Sequence, residues 1–106
     1  GAGLTAASGQ LSVTGNNVAL KADGDTLVEG YNYFANASSN ATVSLPAAPS
    51  VGDVVTIKAG NLTSAATVIV NRQGSHTIDG LTQIVIESPF GSVTLVYVVA
   101  NDWRIV

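Results

Sequence analysis

Cysteine is absent from this chain of 106 residues. That excludes a disulfide framework and thiol chemistry, and leaves the chain indifferent to redox compartment. Charge is scarce too: 10% of the residues are Asp, Glu, Lys or Arg, against about 25% in typical globular domains. The apolar content of 46% separates this low charge from the composition of a disordered segment. What remains for the surface is Ser, Thr, Asn, Gly and Ala, which desolvates cheaply against a copy of itself. The four basic residues, Lys21, Lys58, Arg72 and Arg104, stand singly in a chain of formal net charge −3 and pI near 4.6. With no phosphate-tracking patch, the balance argues against nucleic acid as a partner. No apolar run reaches the roughly 18 residues of a membrane-spanning helix, so no membrane insertion is expected. Helix signals are missing as well, with no stretch carrying apolar residues at i, i+3, i+4 and i+7.

What is present reads as β structure. Gln10–Thr14 and Asn17–Ala22 alternate around Gly15-Asn16, the pattern of a hairpin. Thr26–Glu29 leads through Gly30 into the aromatic run Tyr31–Asn36. "ATVSLP" alternates and is stopped by Pro46. The rigid connection from Pro46 to Asp53 ends in a Gly-Asp turn. "DVVTIKA", "ATVIVN", Thr77-Ile78, "QIVIES", "SVTLVYVV" and "DWRIV" complete the set. About nine or ten short strands at a spacing of roughly ten residues predict an all-β fold, a small antiparallel β-sandwich. Residues 1–24 are less regular and read as an N-terminal arm or neck continuing from a longer protein, with residues 25–106 as the sandwich domain.

Residues that could carry chemistry are few. A single histidine, His76, sits in a Gly-Ser-His-Thr turn with no nucleophile-elbow motif elsewhere, so a catalytic triad has no support and a solvent-facing turn residue is the expectation. Of the acids, Asp23, Asp53 and Asp79 adjoin glycine, where turn chemistry accounts for them; no pair stands out as a glycosidase couple. Asp23-Gly24-Asp25 lacks the further ligands of a calcium loop. No catalytic residues, no metal site and no cofactor are therefore assigned. Tyr31 and Tyr33 share one face of their strand, with Asn32 and Phe34 on the other. Phe34 reads as core, and the tyrosines as core, interface or a stacking platform for sugar. Trp103 reads as buried. Apolar residues on both faces of "VTLVYVV" include Val96, Val98 and Val99, which cannot all enter one core; that suits self-association, or sandwich layers that cover both faces of these strands. Three Asn-x-Ser/Thr triplets begin at Asn36, Asn40 and Asn61 and matter only in a secreted eukaryotic protein.

Taken in order, "TVSLPAAPSVGDVVTIKAG", "TVIVNRQGSHTIDG" and "SVTLVYVVANDWRIV" resemble a pattern of bacteriophage tail-fibre and related virion proteins. In that pattern an alternating strand ends in Leu-Pro and is followed by Val-Gly-Asp, a Val-x-Val strand, Ile-Asp-Gly and a final tryptophan-bearing hairpin. The resemblance covers Tyr31 to Val106. It implies a small β module at the distal, C-terminal end of a homotrimeric fibre, whose last strand completes the sheet. By the same resemblance the chain binds a host-surface receptor, a polysaccharide or outer-membrane component. Its other partners would be copies of itself and further fibre or virion proteins. Its place would be the virion, outside the cell, after synthesis in the host cytoplasm. The family hands over no binding residues. By exposure, the loops Gly60–Ser64, Asn71–His76 and Glu87–Gly91 are expected to crown one end. Asn71, Arg72, Gln73 and His76 form the best hydrogen-bonding group, with Arg72 for an anionic sugar. Two other readings compete. One is a structural virion protein, a capsid decoration or fibre-assembly domain, without a receptor role. The other is a monomeric carbohydrate-binding module with Tyr31, Tyr33 or Trp103 exposed.

Overall fold

Strands form here where β-branched and aromatic residues alternate with polar ones, because a pleated backbone sends successive side chains to opposite faces. The computed structural model describes residues 18–106. Among them are eleven strands and no helix: β1 (Val18–Lys21), β2 (Gly30–Phe34), β3 (Asn36–Ala37), β4 (Ala41–Ser44), β5 (Val54–Lys58), β6 (Asn61–Leu62), β7 (Val68–Asn71), β8 (Thr77–Ile78), β9 (Gln83–Ile86), β10 (Ser92–Val99) and β11 (Asp102–Ile105). They form a six-stranded sheet in the order β1-β2-β5-β10-β11-β8, a three-stranded sheet β4-β7-β9 and a two-stranded corner β3-β6.

The all-β expectation stands, but the expected antiparallel pairing is corrected. Five of the eight strand pairings are parallel: β1 with β2, β2 with β5, β3 with β6, β4 with β7, and β8 with β11. The reason is a coiled path. The chain runs along β2, turns through the corner strand β3 and returns on β4; it then repeats the circuit as β5, β6 and β7. Tyr31 lies beside Thr56, Asn36 beside Asn61 and Ala41 beside Val68, so each strand stacks on its counterpart one coil later, as in a β-solenoid. Parallel neighbours need a crossover of a dozen residues or more, and here the crossover is itself made of strands. An incomplete first coil precedes them: Val18 lies beside Tyr31, and Thr26 bridges Ser44 in parallel. Strands β9 and β10, one in each of the larger sheets, then end the coiling by running in the reverse direction, with Val85 against Ile69 and Thr94 against Thr56 in antiparallel ladders.

Inward-facing residues of the two larger sheets make one core. The six-stranded sheet contributes Phe34, Val55, Ile57, Leu95, Tyr97 and Trp103; the three-stranded sheet contributes Ala41, Val43, Val68, Val70 and Ile86. Each Val, Leu or Ile removed from water stabilises by about 1.5–3 kcal/mol. Leu62 closes the corner from a segment expected to be a polar loop, and it is buried because β6 repeats β3 one coil on.

Among the described residues one polar residue sits fully inside. Asn32 is 1% exposed. Its Oδ1 accepts from the Val28 amide at 2.8 Å, while its Nδ2 donates to the carbonyls of Val28 (2.8 Å) and Thr56 (3.1 Å). It therefore fixes the bend that enters β2 and ties the first full coil to the second. Gly60 is required by space: a Cβ there would lie 1.5 Å from the Ala35 carbonyl oxygen, where the two coils turn their corners in contact.

The expected arm over residues 1–24 is only partly open to description, since residues 1–17, with most of the proposed Gly15-Asn16 hairpin, lie outside the described residues. Val18–Lys21 is a strand of the main sheet, paired in parallel with β2.

Candidate functional site

The outer face of the six-stranded sheet is built from the residues that alternate with the core. Register places Val18, Tyr31, Thr56 and Thr94 side by side across it, and Leu20, Tyr33, Lys58 and Ser92 in the next row. Four of these are large and open to solvent: Val18 (63% exposed), Leu20 (67%), Tyr31 (56%) and Tyr33 (48%). Val98 and Val106 are exposed as well. The threonines bond each other, Oγ1 to Oγ1 at 2.9 Å, which leaves the middle of the face with little unmet polarity. The apolar outward positions read in "VTLVYVV" are seen directly: Leu95 and Tyr97 point inward, while Val98 and Val99 are exposed around a register shift between Tyr97 and Val99.

At one end this face runs into the coil corners and a small cleft. Tyr33, Lys58, Gly60, Asn36 and Phe90 line a cavity of about 240 Å³. The cleft is held by backbone: the Phe90 amide donates to the Gly60 carbonyl at 2.8 Å and the Ala59 amide to the Gly91 carbonyl at 2.7 Å. Lys58 donates its ammonium to the Phe90 carbonyl and stands 5.9 Å from the centroid of the Phe90 ring. On the far side of Ala35 and Asn36 a wider groove of about 480 Å³ runs beside Leu20, Asp23 and Ser39.

The three loops expected to crown one end do not share it. Gly60–Ser64 and Glu87–Gly91 meet at the corner end, as those hydrogen bonds require. Asn71–His76 lies at the opposite end, because Asn71 ends β7, beside Ser44 at the end of β4, and both strands run away from the corner. Tyr33 is thus at the cleft, Tyr31 is one row behind it on the sheet, and Asn71, Arg72, Gln73 and His76 form a separate group. Arg72 is exposed, Asn71 and Gln73 are half-buried, and the His76 amide donates to the Gln73 carbonyl at 2.9 Å.

His76 is not the solvent-facing residue its turn suggested. It is half-buried with its ring 5.5 Å from that of Tyr97, which in turn lies 5.1 Å from buried Trp103. Its Nδ1 has no hydrogen-bond partner among the described residues. Among the described residues no serine or acid bonds the imidazole.

The glycine-flanked acids stand in or beside turns; Asp53 closes its own, while Asp23 and Asp79 tie theirs to distant strands. Asp23 accepts from the Thr42 amide at 2.8 Å, Asp53 from the Ser50 amide at 2.9 Å, and Asp79, at a φ of 50°, from the Ile105 amide at 3.2 Å. Asp25 accepts from the Ala22 amide at 2.9 Å, so both carboxylates of Asp23-Gly24-Asp25 are engaged by backbone. Two of the Asn-x-Ser/Thr asparagines hold corners: Asn36 accepts from Asn61 and Asn40 from Thr67. On β11, Arg104 clasps Asp102 at 2.8 Å. Hydrogen bonds from that guanidinium hold the Asp102 carboxyl below the usual aspartate range, against a smaller opposing effect of desolvation.

Sequence reasoning passed over Lys58 and Phe90. The signal was Pro89-Phe90-Gly91: an aromatic at the third position of a tight turn, where glycine is favoured. Compared with known proteins, the chain matches no family model and no curated protein.

Proposed function

We propose that this chain is a β-sandwich module at the distal end of a homotrimeric phage tail fibre, binding a polysaccharide or outer-membrane receptor of the host cell. The observation that carries the proposal is the outer face of the six-stranded sheet, where Val18, Leu20, Tyr31 and Tyr33 stand exposed beside uncharged Thr56 and Thr94. Contiguous apolar surface of this kind marks an interaction site. Three such faces gathered about an axis would bury one another with almost no charge to desolvate. The coiled, strand-on-strand path adds support, since it extends along an axis by repeating one unit. The resemblance of Tyr31 to Val106 to fibre proteins supplies the biological setting.

A second reading has one observation in its favour. Exposed Tyr31 and Tyr33 also suit a monomeric carbohydrate-binding module, although Trp103, its third expected platform residue, is wholly buried. Fluorescently labelled protein incubated with a panel of bacterial cells tests the receptor role. Saturable binding to some strains and not others is expected, and binding to none would leave a structural virion role.

A further inference from the structure

We infer that the corner cleft of Tyr33, Lys58 and Phe90 is a subsite for an acidic pyranose, a sugar ring bearing a carboxylate. The inference rests on the receptor-binding reading and names the chemistry gripped there.

Phe90 is the first sign of a built site. The Gly91 amide bonds the Ser88 carbonyl at 3.0 Å, closing a turn with Pro89 second and Phe90 third. Phe90 carries a φ of 60°, a left-handed conformation in which a bulky residue is an outlier. Glycine would meet the turn's needs without strain. Instead the turn presents a ring that is 58% exposed and gains little from the core. A strained aromatic turned outward is the kind of local cost that accompanies binding sites.

The cleft's chemistry then selects the ligand. Phe90 and Tyr33 give it aromatic surface, suited to the apolar C–H face of a sugar ring. Lys58 sits beside both, next to Tyr33 across the β2–β5 ladder and against the Phe90 ring. Among the described residues no carboxylate neutralises it; one hydrogen bond to the Phe90 carbonyl fixes its position. Its remaining N–H groups are available to a ligand carboxylate, and the Tyr33 hydroxyl offers a further hydrogen bond at the rim. The space, about 240 Å³, falls below the roughly 300–1,000 Å³ of sites for whole drug-sized ligands. It suits one residue of a longer saccharide. A single cation in a chain of net charge −3 is too little for a nucleic-acid backbone.

The test is a titration of the 106-residue protein, in whatever assembly it adopts, with glucuronic acid and separately with glucose. Backbone amide signals are followed at low ionic strength, where one charge pair is least screened. Glucuronate is expected to shift the amides of Lys58, Gly60, Phe90 and Gly91 saturably at millimolar concentration, with glucose about tenfold weaker. Lys58→Gln should erase the difference between the two sugars. Phe90→Gly, which suits the turn and so preserves the fold, should weaken both. No shift at these amides, or an acid preference that survives Lys58→Gln, overturns the subsite. The same variants separate this idea from its premise. Cells bound equally well by Lys58→Gln and Phe90→Gly would sink the subsite and spare the receptor reading. Glucuronate binding at the cleft without binding to any cell would do the reverse.

Discussion

At the scale of single residues, Asn32 shows how a polar group can specify a coil. Its amide meets groups from two successive coils, so replacement strips the part-buried Val28 amide and carbonyl and the Thr56 carbonyl of those partners. Asn32→Ala should lower stability by about 1–3 kcal/mol, the range for a hydrogen-bonding group left without its partner. Chemical denaturation measures this, and a loss under about 0.5 kcal/mol, the scale of a surface change, would contradict it. Asp102 makes a different prediction. Its carboxyl is lowered chiefly by hydrogen bonds from Arg104. The pair's contribution is therefore complete above the ordinary aspartate range and fades as pH falls through the lowered folded-state value. An NMR titration should place the Asp102 midpoint below that of an ordinary aspartate, with Arg104→Gln moving it back up. An unmoved midpoint would show that the clasp does not form in solution. Several of these residue roles were legible beforehand. Phe34 and Trp103 read as core from alternation, and Asp23, Asp53 and Asp79 as turn residues from their glycines. His76 misled because its sequence neighbours are turn formers, while its ring packs on Tyr97, a residue far along the chain.

At the scale of elements, the strands themselves were largely readable and their partners were not. "VVTIK" and "VIVN" announce strands by β-branching whether the neighbour runs parallel or antiparallel. The links between consecutive strands are short, and short links suggest hairpins. Here the chain turns a corner instead, through β3 and β6, each two residues long and too short to leave a period. The coils also share little sequence. What repeats is inward placement, Ala37 with Leu62 and Val43 with Val70, and a small residue opposite a large one hides the repeat. The same misreading put Asn71–His76 with the corner loops. β11 is the element whose loss tells most. It lies between β10 and β8 and carries Trp103 into the core. Removal of a buried tryptophan side chain costs about 3–5 kcal/mol, a large part of the 5–15 kcal/mol typical of a domain. A chain ending at Asn101 should therefore lose its cooperative thermal transition by circular dichroism. A transition retained near that of the full chain would mean that β11 is dispensable.

At the scale of the molecule, the proposed role depends on what covers the outer face of the six-stranded sheet. Composition pointed there first, through scarce charge and apolar residues on both faces of β10, but it did not show that Val18 and Leu20 join the face from β1, paired in parallel with β2. The corner cleft lies at the margin of that face, so an assembly that packs the rows behind Tyr33 leaves Lys58 and Phe90 at its rim. The most direct measurement is the solution mass of the 106-residue chain by light scattering on a sizing column, repeated for Tyr31→Glu in the row behind Tyr33. For a trimer the mass is about three times 10.7 kDa and falls towards the single-chain value when a charge enters the apolar row. A mass near 10.7 kDa for the unaltered chain, stable on concentration, would contradict the trimer and move the weight to a monomeric sugar-binding module.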